Sequence, residues 1–256
     1  MSGDVALVDS GDGAVSRLVT TAATLFESPT FRPTALVGGL AVTIRLATVH
    51  RATNDVDTVS EGEGPRDLAL QYLGDADAAT EDRIEIGGVK VDVMATWPLP
   101  SSSDELPDDD LDRLFVLGHR WALDTATPLV VDVVSTESEP VIRSGTLAVA
   151  TAPALVACKL HAIADRRGAA LTKQESDALD LVRLVGDLVR QPDTTEMLRA
   201  APFDLDDLVA GQLERWFVTD ALRTARLAGI GTGTPGSVDA AAVSTAGRLL
   251  LDQLRS

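Results

Sequence analysis

The 256-residue sequence predicts an α+β protein: a mixed sheet flanked by helices over residues 13–150, then a helical half over residues 151–256. Three observations lead there. Short apolar or alternating runs punctuated by Gly and Pro fill the first half, which is how strands read. After Pro153 the apolar residues recur at helical spacing, with few strand signals. The two textures are segregated along the chain, so the boundary falls near residue 150.

Each element follows from its local pattern. Residues 1–12 are small, acidic and Gly-rich and read as a disordered tail. From Ala14 to Phe26, Val15, Leu18, Val19, Ala22, Leu25 and Phe26 share one helix face, and Pro29 and Pro33 end that helix. Ala35-Leu36-Val37 is a short buried strand that stops at Gly38-Gly39, and Leu40–Ala47 is a helix opening on that turn. Asp55–Val59 alternates polar and apolar residues, the pattern of a strand with one wet face. Arg66–Leu73 reads as a short helix. Arg83–Ile86 and Val89–Met94 flank Gly87-Gly88 as a hairpin. Pro98–Asp112 is rich in Ser, Pro and Asp and reads as a loop. Val130–Val134 is a strand, and Val141–Ala148 an edge strand or a turn between strands. Helical patterns then cover Ala154–Arg166, Gln174–Val189, Asp204–Leu227 and Asp239–Leu254, with breaks near Gly168, Pro192 and Pro202. Gly231–Gly236, GTGTPG, lacks the GK[ST] ending of a P-loop and reads as a flexible linker. Trp97, Trp121 and Trp216 read as core or interface residues.

Net charge is −17, of which residues 1–150 carry −15 and residues 151–256 carry −2. Such a balance repels polyanions at long range and excludes a general nucleic-acid-binding surface. A local basic face from Arg166, Arg167, Lys173, Arg183 and Arg190 is the place left for one. No apolar run approaches the roughly 20 residues of a bilayer span. The first residues lack the basic segment and apolar core of a secretory signal. The single cysteine, Cys158, forms no internal disulfide, so a reducing cytoplasm is the expected compartment. His50, His119 and His161 show no zinc-ligand spacing.

Chemistry concentrates in Leu36–Val59, LVGGLAVTIRLATVHRATNDVDTV. Asp55 and Asp57 are two apart on a strand, so both side chains point to one face. Two like charges side by side cost free energy unless a cation neutralises them. Mg²⁺ or Mn²⁺ is held in this way, by one or two carboxylates plus substrate phosphates. The strand–Gly-Gly–helix turn upstream supplies the close backbone approach and free N–H groups that a phosphate needs. Asp92, inside the apolar run Val89–Met94, is expensive there without a partner, and an adjacent strand brings it beside Asp55 and Asp57. Three carboxylates can hold two metals.

Gly38-Gly39, an apolar helix and then His50-Arg51-Ala52-Thr53-Asn54-Asp55-Val56-Asp57 resemble the GG…HRxTxDxD signature of the AbiEii/AbiGii-type nucleotidyltransferases. These are toxins of toxin–antitoxin systems, with a MenT-like group, in the DNA polymerase β-like superfamily. Ala154–Val185 is similar to that family's second block, with Lys159, Lys173, Asp177 and Asp180 at the matching positions. The likeness spans roughly residues 14–190. It implies a polymerase β-like core whose active site is completed by the helical half. It implies metal on Asp55 and Asp57, with Asp92 as third acid, and a triphosphate along Gly38 and Gly39. Lys159 would reach the phosphates, Asp177 or Asp180 would orient Lys159 or meet the nucleotide, and Arg51 would brace the acidic strand or the phosphates. Gly39 replaces the serine that many superfamily members carry at the turn.

The implied reaction moves a nucleoside monophosphate from an NTP to an acceptor hydroxyl with release of pyrophosphate. The resemblance makes that acceptor RNA, a tRNA 3′ end, and implies a cognate antitoxin. A second reading keeps the chemistry and changes the acceptor to a protein side chain or a small molecule, and the acidic surface suits a cationic small molecule better than tRNA. A third possibility is a catalytically silent binding module, which predicts no metal-dependent NTP binding.

Overall fold

The computed structural model describes residues 3–9, 13–27, 31, 33–64, 67–68, 83–135, 141–166 and 172–256. The chain divides into two compact units. The first comprises residues 1–98 and 122–151, and the second residues 99–121 and 152–256. The stretch 99–121 therefore groups with the helices, although it precedes the last two strands. The helix expected at Arg66–Leu73 lies mostly outside the described residues.

Among the described residues the first unit holds a seven-stranded mixed sheet. In chain order its elements are β1 (Val5–Asp9), α1 (Ala14–Glu27), β2 (Thr34–Val37), α2 (Gly38–Arg45), β3 (Asp55–Glu61), β4 (Arg83–Ile86), β5 (Val89–Thr96), β6 (Thr127–Ser135) and β7 (Arg143–Val149). Their order across the sheet is β1-β6-β7-β2-β3-β5-β4. Pairs β1/β6, β2/β7 and β3/β5 are parallel, and the others are antiparallel.

Two sequence expectations fail here for tertiary reasons. Val5–Asp9, expected in the tail, is a strand because Leu7 buries and β6 offers a parallel partner. Asp9, 2% exposed, then accepts the backbone N–H of Gly13 at 3.1 Å and of Ser16 at 2.9 Å. It thereby satisfies donors at the start of α1. Val141–Ala148, expected as an edge strand or a turn between strands, corresponds to β7, which lies inside the sheet between β6 and β2. Gly145 on β7 lies so close to α1 that an added Cβ would stand 2.8 Å from the Ala23 Cβ.

Strand β2 is buried along its whole length, the texture of a central strand covered on both faces. Helix α2 follows without a linker and buries every residue from Gly39 to Thr43 and Ile44. Arg45 pins its far end, donating Nε to the Ala150 carbonyl at 2.7 Å and an Nη2 hydrogen to the Val149 carbonyl at 2.5 Å. The turn joining β2 to α2 is thus fixed from both sides.

The second unit is helical: α3 (Asp110–Asp124, whose last turn enters the first unit), α4 (Ala152–Asp165), α5 (Thr172–Leu188), α6 (Pro192–Arg199), α7 (Leu205–Leu213), α8 (Ala221–Gly231) and α9 (Ala240–Arg255). The expected loop at Pro98–Asp112 holds a 3₁₀ turn, Ser103–Glu105, and the first residues of α3. Pro192 opens α6 rather than only ending its predecessor, because a proline at the first turn removes an N–H that has no partner anyway. The single helix expected over Asp204–Leu227 is α7, a π-helical turn at Glu214–Thr219 and α8. At that break the Thr224 hydroxyl donates to the Trp216 carbonyl at 2.6 Å, an acceptor the widened turn leaves available. The GTGTPG stretch is a hydrogen-bonded turn: Gly233 N–H reaches Ile230 O at 2.8 Å and Thr234 N–H reaches Gly229 O at 3.2 Å. Trp121 and Trp216 are buried as expected, whereas Trp97 is 60% exposed. Among the described residues no helix is long and apolar enough to cross a membrane.

His119 on α3 is buried, 4.4 Å from the Phe115 ring and 6.0 Å from the His161 ring, centroid to centroid. Its Nδ1 lies 2.8 Å from the Phe115 carbonyl, which only accepts, so Nδ1 carries the proton. Burial pushes the imidazole pKa down to about 4, because a buried site disfavours the charged form. The unfolded chain therefore binds this proton first. The stability contributed by the neutral ring is complete above pH 6.5 and is lost as pH falls from 6.5 toward 4. Unfolding by urea across that range is expected to show a loss of about 2–3 kcal/mol that is absent in His119→Asn, which keeps a donor and does not titrate. Equal pH dependence in the two proteins would contradict the assignment.

Candidate functional site

On β3 the side chains of Asp55 and Asp57 share one face while Val56 and Thr58 bury on the other. The parallel register of β3 against β5 sets Asp57 beside Asp92 and Asp55 beside Lys90. Each of the three carboxylates offers an oxygen within 4.8 Å of the others, and all three residues are half-buried. The expected juxtaposition of Asp92 with the first two acids is therefore present. The oxygens are hard donors, the set that Mg²⁺ and Mn²⁺ accept.

The glycine turn is built against this cluster. Val37 pairs with Asp57, so Gly38 stands at the edge of the acidic face. Gly38 has φ +67°, a left-handed conformation that favours glycine. A Cβ at Gly38 would overlap the Asp57 carboxylate. Helix α2 begins there with no side-chain cap. A Cβ at Gly39 would overlap the Arg51 guanidinium and meet the Thr53 hydroxyl at 3.0 Å. Thr53 in turn donates to an Asp55 oxygen at 3.3 Å. Arg51 thus lies over the turn beside the acidic strand, and Thr53 links the turn to Asp55.

The sequence reading gave Arg83 no role. On β4 it pairs in register with Asp92. Its Nε donates to one Asp92 oxygen at 2.5 Å and its Nη2 to the other at 2.7 Å, a two-point clasp. The Asp92 hydrogen bond, followed by the charges of Asp92, Asp55 and Asp57, holds the guanidinium even more firmly protonated than usual. A signal for this pair was present in the sequence. A two-residue Gly87-Gly88 turn sets Ile86 against Val89, and that register carries Arg83 to Asp92.

Lys159, Asp177 and Asp180 belong to the second unit, where they form one buried cluster. Lys159 Nζ lies 2.8 Å from Asp177 Oδ1 and 2.8 Å from Asp180 Oδ2. Arg166 Nε donates to the second Asp177 oxygen at 3.0 Å. The side chains of Lys159, Asp177 and Asp180 are 9%, 3% and 0% exposed, so two cations and two anions neutralise one another with little water. The basic face expected from Arg166, Arg167, Lys173, Arg183 and Arg190 is weakened by this pairing. Arg166 is committed to Asp177, Arg190 to Asp187 at 3.1 Å, and Arg167 lies outside the described residues.

Three substitutions test these local contacts. Gly38→Ala is expected to lose about 1–3 kcal/mol of stability from backbone strain and the displaced carboxylate. Gly39→Ala should cost less, because the atom it meets is the far end of an arginine; comparable melting losses would refute the difference. Lys159→Met leaves Asp180 buried without its cation and should cost about 3–5 kcal/mol in denaturant unfolding. A loss below about 1 kcal/mol would mean the cluster is better hydrated than its burial indicates.

No protein-family model matches the chain. No curated protein matches it. Among solved structures, the solution structure of the antibiotic-resistance factor ANT(2'')-Ia is similar at a TM-score of 0.42 and 17% sequence identity, over 82% of this chain and 93% of that chain.

Proposed function

We propose that the chain is a divalent-metal-dependent nucleotidyltransferase that moves a nucleoside monophosphate from an NTP to an acceptor hydroxyl. The observation that carries this reading is the convergence of Asp55, Asp57 and Asp92 on one sheet face, directly beside a glycine turn with no room for a side chain. Three half-buried carboxylates of like charge are stabilised by a cation, and a bare helix N-terminus favours a phosphate next to them.

In this reading Asp55 and Asp57 hold the metal and Asp92 is the third acid. Gly38 and Gly39 lie along the triphosphate, and Arg51 braces the acidic strand or the phosphates. The resemblance also gives Lys159 a phosphate-binding role, with Asp177 or Asp180 to orient it. The acceptor oxygen attacks the α-phosphorus, the bond to the bridging oxygen breaks, and pyrophosphate leaves with the electron pair. The hydroxyl proton passes to a carboxylate of the cluster. A bound divalent ion would lower the pKa of that hydroxyl and neutralise developing charge.

The resemblance supports an RNA acceptor, a tRNA 3′ end, and with it a toxin restrained by a cognate antitoxin. A second reading, a cationic small-molecule or protein acceptor, is favoured by the net charge of −17 and by the ion pairs that occupy Arg166 and Arg190.

Labelled NTPs with Mg²⁺ or Mn²⁺, presented in turn with total tRNA, a polycationic small molecule and a protein mixture, test both. Nucleotidyl transfer with pyrophosphate release is expected on one acceptor class. Asp57→Asn should lower the rate about a thousandfold or more while the protein stays folded. No transfer to any class with any NTP, or full activity in the variant, would refute the proposal.

A further inference from the structure

We propose that the outer face of the π-helical turn and of α8 is a docking surface for an acidic, leucine-bearing segment of a protein partner, held by Arg215, Arg223, Arg226 and Leu222. This surface is independent of the catalytic reading. All four residues are exposed, and Leu222 leaves 77% of its surface to solvent. Trp216, 2% exposed, gathers two of the cations. The guanidinium of Arg215 stands 5.8 Å from its ring centroid and that of Arg223 5.1 Å. A guanidinium over an aromatic ring uses its face and keeps its edge donors for a carboxylate. Arg226 lies one turn beyond Arg223 on α8, on the side that also carries Leu222. Among the described residues none of the three guanidiniums is paired with a carboxylate. The buried indole N–H of Trp216 likewise has no acceptor among them.

The frame under this face is fixed. The Thr224 hydroxyl donates to the Trp216 carbonyl at 2.6 Å, which ties the start of α8 to the turn and sets Arg223 over the ring. Helix α9 carries Gly247 where Phe217 packs, and a Cβ there would overlap the Phe217 side chain. The local charge runs against that of the whole chain. Residues 214–255 carry five arginines and four acids, in a chain of net charge −17. Of those acids, Glu214 is 3.7 Å from Arg255, Asp220 precedes α8, and Asp239 and Asp252 belong to the start and the last turns of α9. At physiological salt a charge is felt over roughly 8 Å, so a carboxylate arriving at this face meets the three arginines before the distant acids. A long polyanion such as RNA spans more than the patch and meets the repulsion of the whole chain. Trp216 is buried, so it offers no ring for a base to stack on. Leu222 presents aliphatic surface that a phosphate backbone leaves uncovered. A segment bearing both carboxylates and leucines matches both parts of the face.

The test is the fluorescence anisotropy of a labelled peptide of about twelve residues, repeating Glu, Glu and Leu, titrated with the full chain at physiological ionic strength. Wild type should bind it saturably. The same peptide with Gln in place of Glu should bind about tenfold or more weakly. Arg223→Ala/Arg226→Ala should weaken binding of the acidic peptide about tenfold or more, with the far-ultraviolet circular dichroism unchanged. Leu222→Ser should also weaken it while leaving the salt dependence of binding as in wild type. Arg223→Lys keeps the charge without the stacked fork and should fall between, and it decides the matter if the double variant does not fold. No binding of the peptide by wild type, or equal binding by wild type and the folded variants, would overturn the docking surface. A single-stranded RNA oligomer or anionic lipid vesicles, bound more tightly than the peptide and released by the same substitutions, would overturn the acidic-segment partner.

Discussion

Like charge held on one face of a sheet is the constraint that organises the first unit. Asp55, Asp57 and Asp92 converge because of strand alternation and one parallel register, and neither gives them distance from one another. The surroundings respond in kind. Arg83 lies against the outermost acid, Thr53 donates to the innermost, and Gly38 gives up its side chain so that Asp57 has room. Such a set of hard oxygen donors is what links the fold to the proposed metal and nucleotide chemistry.

The rest of the first unit keeps the face rigid. The acidic strand is bonded on both sides, by β2 and by β5, so its side chains cannot separate by sliding. The turn at Gly38 is held between a fully buried strand and a buried helix whose far end is tied to β7 by Arg45. The second unit meets a comparable problem with a different solution. There Lys159, Arg166, Asp177 and Asp180 neutralise one another internally, in a cluster with almost no exposure.

Much of the candidate site was legible in the sequence because it depends on local rules. Residues two apart on a strand share a face, so Asp55 and Asp57 were readable as a pair. A Gly-Gly step between a buried strand and a helix was readable as a turn. Asp92 stood out as a charge in an apolar run, and the two-residue turn at Gly87-Gly88 contained the register that brings Arg83 to it. What was not legible depends on long-range pairing. The offset that sets Asp57 against Asp92 crosses a connection whose length fixes no register. Strand β1 exists because β6 is there to receive it, and β7 is internal for the same kind of reason. The separation of residues 99–121 from the strands on either side of them has no compositional mark, and helix α3 begins within a stretch whose Ser, Pro and Asp content reads as loop.

In the proposed function the three acids hold a divalent cation against a triphosphate at the glycine turn. Its most direct test is the anomalous scattering of Mn²⁺ in crystals grown with a non-hydrolysable NTP analogue. A peak between Asp55 and Asp57, with the phosphates over Gly38 and Gly39, is the expected result. An analogue bound elsewhere, or a Mn²⁺ peak remote from these carboxylates, would contradict it.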